Sequence, residues 1–166
     1  IPTLNGSEYL PILLNQIKCQ KTTHDIELSI IDSGSNDDTI KIIKSFSDDF
    51  KIILTEIPKS QFNHGITRNQ AIIQSSGEYL ILLTQDSIPL NEYWLENLIT
   101  PLESDPQVAG VFGRHLPRNN CNPIEKNDLI QFFNGLGNHN VCYQLKNKNK
   151  NEEFEKEKHL LAFFSS

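Results

Sequence analysis

Short apolar runs alternate with stretches of helical spacing along this chain. That alternation predicts a mostly parallel, Rossmann-like α/β sheet with helices on both faces. Ile1-Pro2-Thr3 reads as the last turn of a strand that begins before residue 1. Asn5-Gly6-Ser7 is a turn able to cap a helix whose apolar positions, Tyr9, Leu10, Leu13, Leu14 and Ile17, repeat on one face. Glu27 to Ile31 reads as a buried strand ending at Asp32. Ser35 or Asn36 would cap the helix that carries Ile40, Ile43 and Phe46, with Asp37 and Asp38 in its first turn, where the helix dipole favours anions.

Lys51 to Ile57 predicts a third strand, and Ile66 to Ser76 a short helix stopped by Gly77. Glu78 to Leu83 is the most apolar run and reads as a central strand that delivers Thr84-Gln85-Asp86. A helix is expected from Asn91 through Trp94, Leu95, Leu98 and Leu102, and a strand from Gln107 to Phe112. Asn122-Pro123 reads as the cap and first position of a helix reaching Phe133. Gln144 to His159 is almost wholly polar and reads as a loop or solvated helix, followed by a strand start at Leu160 to Phe164. A new element beginning at the end points to a truncated chain.

The 166 residues fit one domain, with 1–115 as a donor-side core and 116–166 as the start of a further region. The net charge of −6 and the lack of a basic face argue against a nucleic-acid partner. No apolar run approaches the roughly 20 residues of a membrane span, and no signal-peptide pattern opens the chain. Cys19, Cys121 and Cys142 have neither the pairing nor the spacing of a disulfide framework or zinc site, and read as unpaired cytosolic thiols. The histidines form no metal-ligand pair.

Chemistry is concentrated where predicted strands end, the edge at which open α/β sheets bind ligands. Three polar clusters fall there: Pro2-Thr3-Leu4-Asn5, Asp32-Ser33-Gly34-Ser35 and Thr84-Gln85-Asp86. The second lacks GxGxxG, and its carboxylates suit base N–H or ribose hydroxyl donors better than phosphate. On local evidence Asp32 is as well read as a helix cap. A lone carboxylate such as Asp86 suffices for a hard divalent ion if the ligand brings a diphosphate, although alone it is as readily a turn residue. Arg68 could take a phosphate or a base carbonyl in a bidentate grip, or form an ordinary ion pair. His64 beside Gly65 could line a pocket, but a lone His is more often structural.

In this order the segments resemble glycosyltransferase family 2. The matching pieces are Ile1 to Gly6, Ile30 to Thr39, Asn69 to Ile72, Ser76 to Tyr79, and Thr84 to Ser87 with Pro89. Phe62 to Asn69, Thr-Gln-Asp at 84–86, Val108 to Arg114 and Pro117 further resemble the bacterial rhamnosyltransferase branch. The resemblance implies a GT-A fold and a hexosyl transfer that inverts the anomeric centre. It implies a nucleotide-sugar donor, dTDP-L-rhamnose ahead of a UDP-sugar, and a glycan or lipid-linked acceptor in polysaccharide biosynthesis. Pro2, Thr3, Asn5, Asp32, Ser33, Arg68, Thr84 and Gln85 would bind the donor nucleotide, and Asp86 would hold Mg²⁺ or Mn²⁺. A cytoplasmic enzyme is expected, with the full-length protein at the inner face of the membrane as an open alternative.

Two departures from the family pattern matter. Ser33 stands where a second Asp is usual, so base contacts would rest on Asp32. The general base would come from an acidic Glu-Asp segment that does not occur up to Ser166, so this chain should bind a donor but transfer sugar poorly. Binding without activity is therefore one rival reading. A nucleotidyltransferase would need a Gly-rich loop with Arg and Lys after the first strand, and Thr3 to Ser7 is not one. A receiver domain would need paired acids after the first strand and an Asp after the third, and neither is present.

Overall fold

A computed structural model of the chain describes residues 1–136. The polar stretch at 144–159, the strand start after it and Cys142 lie outside the described residues. The chain divides into two compact units, the first Ile1–Val111 and the second starting at Phe112.

The first unit is built on a three-stranded parallel sheet of order β1-β2-β3, formed by Pro2–Thr3, Glu27–Asp32 and Lys51–Glu56. Register pairs Thr3 with Asp32 and Asp32 with Glu56, so the three carboxyl ends come out level. Helix α1, Leu10–Lys18, buries Leu10, Leu13, Leu14 and Ile17, as its spacing predicts. These side chains form one core with Leu28, Ile30 and Ile43, the last from α2, Thr39–Lys44. Alternation along a strand sends Ser29 and Ile31 to the opposite face. There Ser29 Oγ donates to the Ala71 carbonyl at 3.0 Å, which docks α3, His64–Ile73. Helices therefore cover both faces.

Apolar contact is sparse under α3, and a polar chain replaces it: Thr55 Oγ1 donates to Gln74 Oε1, and Gln74 Nε2 donates to Ser29 Oγ. At the opposite end of the strands, Lys51 pairs with Glu27, which also accepts from the backbone N–H and hydroxyl of Ser76. These contacts hold the Glu27 carboxyl down at about 2, the Lys51 ammonium contributing most.

Four expectations give way. The N-cap of α2 is Asp38, with no side-chain cap bond, rather than Ser35 or Asn36, which lie in the turn that Asp32 organises. Helix α3 starts at His64 rather than Ile66, because Asn63 Oδ1 accepts from the backbone N–H groups of Gly65 and Ile66. Among the described residues Glu78 to Leu83 makes no strand pairing, although Leu83 packs on the core. The reason lies in the edge available to it. The carbonyls of Ile1 and Thr3 accept from β2, which leaves Pro2 and Leu4 to face the other side, and Pro2 has no N–H. Gln107 to Phe112 is likewise not a strand. Its first residues are drawn into a turn in which Asp105 accepts from Gln107 N through its carboxylate and from Val108 N through its carbonyl.

Helix α4, Trp94–Ser104, buries Leu95 and Ile99. Its first turn is capped from a distance, since Gln20 Oε1 accepts from Leu95 N at 2.9 Å and Lys21 N donates to the Glu92 carbonyl. In the second unit, α5 spans Pro123–Gly135, with Asn122 accepting from Ile124 N as its cap. Phe133 is buried there against His115, and Arg114 Nη2 donates to Asn134. No described helix is long and apolar enough to cross a membrane.

Candidate nucleotide-sugar site

The carboxyl ends of β1 and β2 are joined by a network of side chains. Thr3 Oγ1 donates to Asp32 Oδ2 at 3.0 Å, and Ser35 Oγ donates to the same oxygen. Asp32 Oδ1 accepts from Gly34 N at 3.0 Å and Ser35 N at 2.8 Å. Four donors thus surround a carboxylate that is 1% exposed, a degree of satisfaction expected of a buried charge. Gly34 closes this turn at φ 91°, a region that side-chain-bearing residues rarely adopt. Ser33 is also turned inward: its Oγ and N both donate to the Thr3 carbonyl at 2.9 Å.

The loop after β1 is held in the same manner, residue by residue. Leu4 N donates to Gln85 Oε1, Asn5 N to Ser35 Oγ, Gly6 N to Thr39 Oγ1 and Ser7 N to Asp37 Oδ2. Asn5 adopts φ 48°, which a residue of this type tolerates, and its Oδ1 accepts from Asn36 N. Asp37 also accepts from the hydroxyl and backbone N–H of Thr39, and these bonds hold its carboxyl well below the usual range, the Thr39 hydroxyl contributing most. A loop whose four successive amides are already bound is not a phosphate cradle. This removes the feature a nucleotidyltransferase would need after its first strand.

The expected site residues therefore fall into two groups. Thr3, Asp32, Ser33 and Gln85 spend their polar groups inside the protein. Asp32 is thus the organiser of a turn first of all, and Asp37 ties the first loop to α2 from just before its N-cap, Asp38. Asn5 and Asp86 are exposed at this edge, whereas Pro2, Arg68 and Thr84 are half-buried. Thr84 Oγ1 bonds Ser87 Oγ at 2.6 Å across the turn that presents Asp86. Arg68 makes no hydrogen bond or ion pair among the described residues. Phe62 and His64 meet edge to face at 4.8 Å at the start of α3.

Among the described residues no group of three or more His, Cys, Asp or Glu could hold a metal ion. Asp86 alone fits a hard cation only if a ligand brings further oxygens, the arrangement common for Mg²⁺ with phosphates.

A family model described as glycosyl transferase family 2 matches residues 1–163. The chain belongs to glycosyl transferase family 2. Within the family it is similar to the O-antigen chain rhamnosyltransferase RfbN of Salmonella typhimurium, 39% identical over 125 residues, covering 75% of this chain and 38% of that protein. WbaN of Salmonella anatum, also an O-antigen chain rhamnosyltransferase, is 38% identical over 106 residues, 63% of this chain and 32% of that protein. The chain thus spans about a third of the length of these relatives. Among solved structures, residues 1–349 of Staphylococcus aureus TarS superpose with a TM-score of 0.56 at 23% identity, over 70% of this chain and 36% of that one. The same protein in complex with UDP-GlcNAc gives 0.53 at 22% identity, over 70% of this chain and 35% of that one. These likenesses establish the family and the α/β fold.

The bond of Ser35 to Asp32, the role of Thr39 and the structural use of Gln85 were not anticipated by sequence reasoning. The spacing Asp37-x-Thr39 was a usable signal, since an Asp two residues before a hydroxyl commonly forms a local side-chain turn.

Proposed function

We propose that this chain is the donor-binding part of an inverting, metal-dependent glycosyltransferase that uses a nucleoside-diphosphate sugar, with L-rhamnose as the sugar. The observation that carries the reading is the difference between the two residue groups at the carboxyl edge. The inner residues are hydrogen-bonded within the protein, while Asn5 and Asp86 are exposed and Arg68 makes no ion pair among the described residues. An arrangement of one cation and one carboxylate suits a diphosphate bridged by a divalent ion, with the nucleoside over Pro2, Thr3 and Asn5.

Asp86 would hold the ion, and Arg68 would meet a phosphate or base oxygen. A divalent ion bound there supplies Lewis acidity that offsets charge on the leaving diphosphate. The acceptor hydroxyl would form its bond to the anomeric carbon on the face opposite the breaking bond to the diphosphate, its proton going to a general base that is not among the residues assigned to this site, and the configuration would invert. Asp32 supports this site by fixing the turn at Gly34 and Ser35. The rhamnose assignment is supported by the two Salmonella relatives, and the diphosphate chemistry by the TarS complex with UDP-GlcNAc. The acceptor proposed by the same relatives is a growing glycan chain.

Equilibrium titration with dTDP-rhamnose and UDP-GlcNAc in the presence of Mn²⁺ tests the donor. Tighter binding of dTDP-rhamnose is expected. Equal affinity for both, or preference for UDP-GlcNAc, would remove the rhamnose assignment and leave the fold and family untouched.

A further inference from the structure

Gln85 occupies the middle of the Thr84-Gln85-Asp86 turn, where its side chain could point toward a ligand. It does the opposite. Its Oε1 accepts from Leu4 N at 2.9 Å and its Nε2 donates to the Leu4 carbonyl at 3.0 Å. A primary amide carries a donor and an acceptor side by side, so it reproduces the pairing that a neighbouring strand would give. Leu4, just past β1, offers both its N–H and its carbonyl on the side away from β2, whereas Pro2 lacks an N–H. The two partners are 81 residues apart in sequence.

Space around this pair is closed on the other side by Gly6. A Cβ built there would lie 2.6 Å from Gln85 Oε1. Gly6 has no positive φ and is buried, and a Cβ there would displace the Gln85 amide from its present position. The loop that carries Asn5 and the turn that carries Asp86 thus meet through a single side-chain amide seated over a glycine.

We infer that Gln85 is a positioning residue that fixes the Asp86 turn against the Leu4–Gly6 loop, so that the metal and the nucleoside bind in one register. This rests on the donor-site reading above. In this role Gln85 touches neither ligand. It acts through Leu4, and its removal uncouples the two halves of the site without removing a contact to either.

The test is the gain in dTDP affinity on adding Mn²⁺, measured for the wild-type chain, Gln85→Ala, Gly6→Ala and the double variant. Both single variants break the same pair, one by deleting the amide and one by displacing it. Each is expected to lower the Mn²⁺-dependent gain about tenfold, the size of a typical coupling between sites. Affinity for thymidine without metal should change by less than about threefold on that basis. The double variant should be no worse than either single one, since both remove one shared interaction. Thermal melts of all four proteins establish that each is folded, and Gly6→Ala keeps the test open if Gln85→Ala is not. An unchanged Mn²⁺ gain in either folded variant would overturn the inference, as would an equal loss with and without metal. A wild-type chain that binds thymidine but shows no Mn²⁺ gain with dTDP would instead overturn the donor-site reading on which it rests.

Discussion

Asp32→Ala separates the two roles open to this carboxylate most sharply. The substitution deletes the acceptor of four hydrogen bonds at a residue that is 1% exposed. The Thr3 hydroxyl is buried and loses its partner outright, at a cost of about 1–3 kcal/mol. Gly34 N and the two groups of Ser35 lie nearer solvent and can be partly rehydrated, so each adds about 0.5–1 kcal/mol. The sum is roughly 2.5–6 kcal/mol. For a chain of this size, each kcal/mol moves the melting temperature by roughly 2–4 °C, so a fall of at least about 5 °C is expected.

Asp32→Asn should cost only about 1 kcal/mol. One oxygen still accepts from the two backbone amides, and the Thr3 and Ser35 hydroxyls can reverse to accept from the new NH2. Thermal unfolding followed by far-ultraviolet circular dichroism measures both. A carboxylate serving mainly as a ligand contact would leave the alanine variant within about 0.5 kcal/mol of wild type. A melting shift below about 2 °C in Asp32→Ala would therefore refute the structural role.

Three further outcomes follow from the same geometry. Glu27 and Asp37 both have carboxyl groups held below their unfolded values, so their stabilisation is complete above about pH 4 and is lost as pH falls from there toward 2. Melting temperatures should decline over that window, and a Glu27→Gln/Asp37→Asn variant should show a shallower decline; an equally steep one would contradict the assignment. Asn5→Val places a β-branched residue at φ 48° and should lower the denaturant midpoint by an amount equivalent to about 1–2 kcal/mol, whereas Asn5→Gly should cost less. Arg68→Ala should leave the melting temperature within about 2 °C of wild type, because the guanidinium makes no ion pair among the described residues, yet weaken dTDP binding measurably. A large loss of stability with unchanged dTDP affinity would assign Arg68 to packing.

β2 and β3 were legible in the sequence because each is a local apolar run of strand length, and β1 was read from its last turn alone. Helix α1 was equally clear, since its buried leucines repeat at helical spacing. The run at 78–83 misled for a physical reason. Its own residues favour a strand, but pairing depends on the edge offered by another segment, and β1 offers Leu4 beside a proline. The site shows the same divide. The local turn at Asp32, Gly34 and Ser35 could be read from spacing, and a cap was considered. The Thr3 hydroxyl that completes the enclosure of Asp32 is 29 residues away, and Gln85 reaches Leu4 across 81. Gln20 caps α4 from 75 residues away in the same hidden fashion. Local pattern thus identified which residues carry polar chemistry, while distant pairing decided which of them turn inward.

The central claim is that Asp86 binds a divalent ion together with a nucleoside diphosphate. Calorimetric titration of dTDP into the wild-type chain and into Asp86→Ala, each with and without Mn²⁺, tests it directly. The variant should keep its weak metal-free affinity for dTDP while the Mn²⁺-dependent gain disappears, and a thermal melt establishes that it is folded. An equal gain from Mn²⁺ in both proteins would contradict the account.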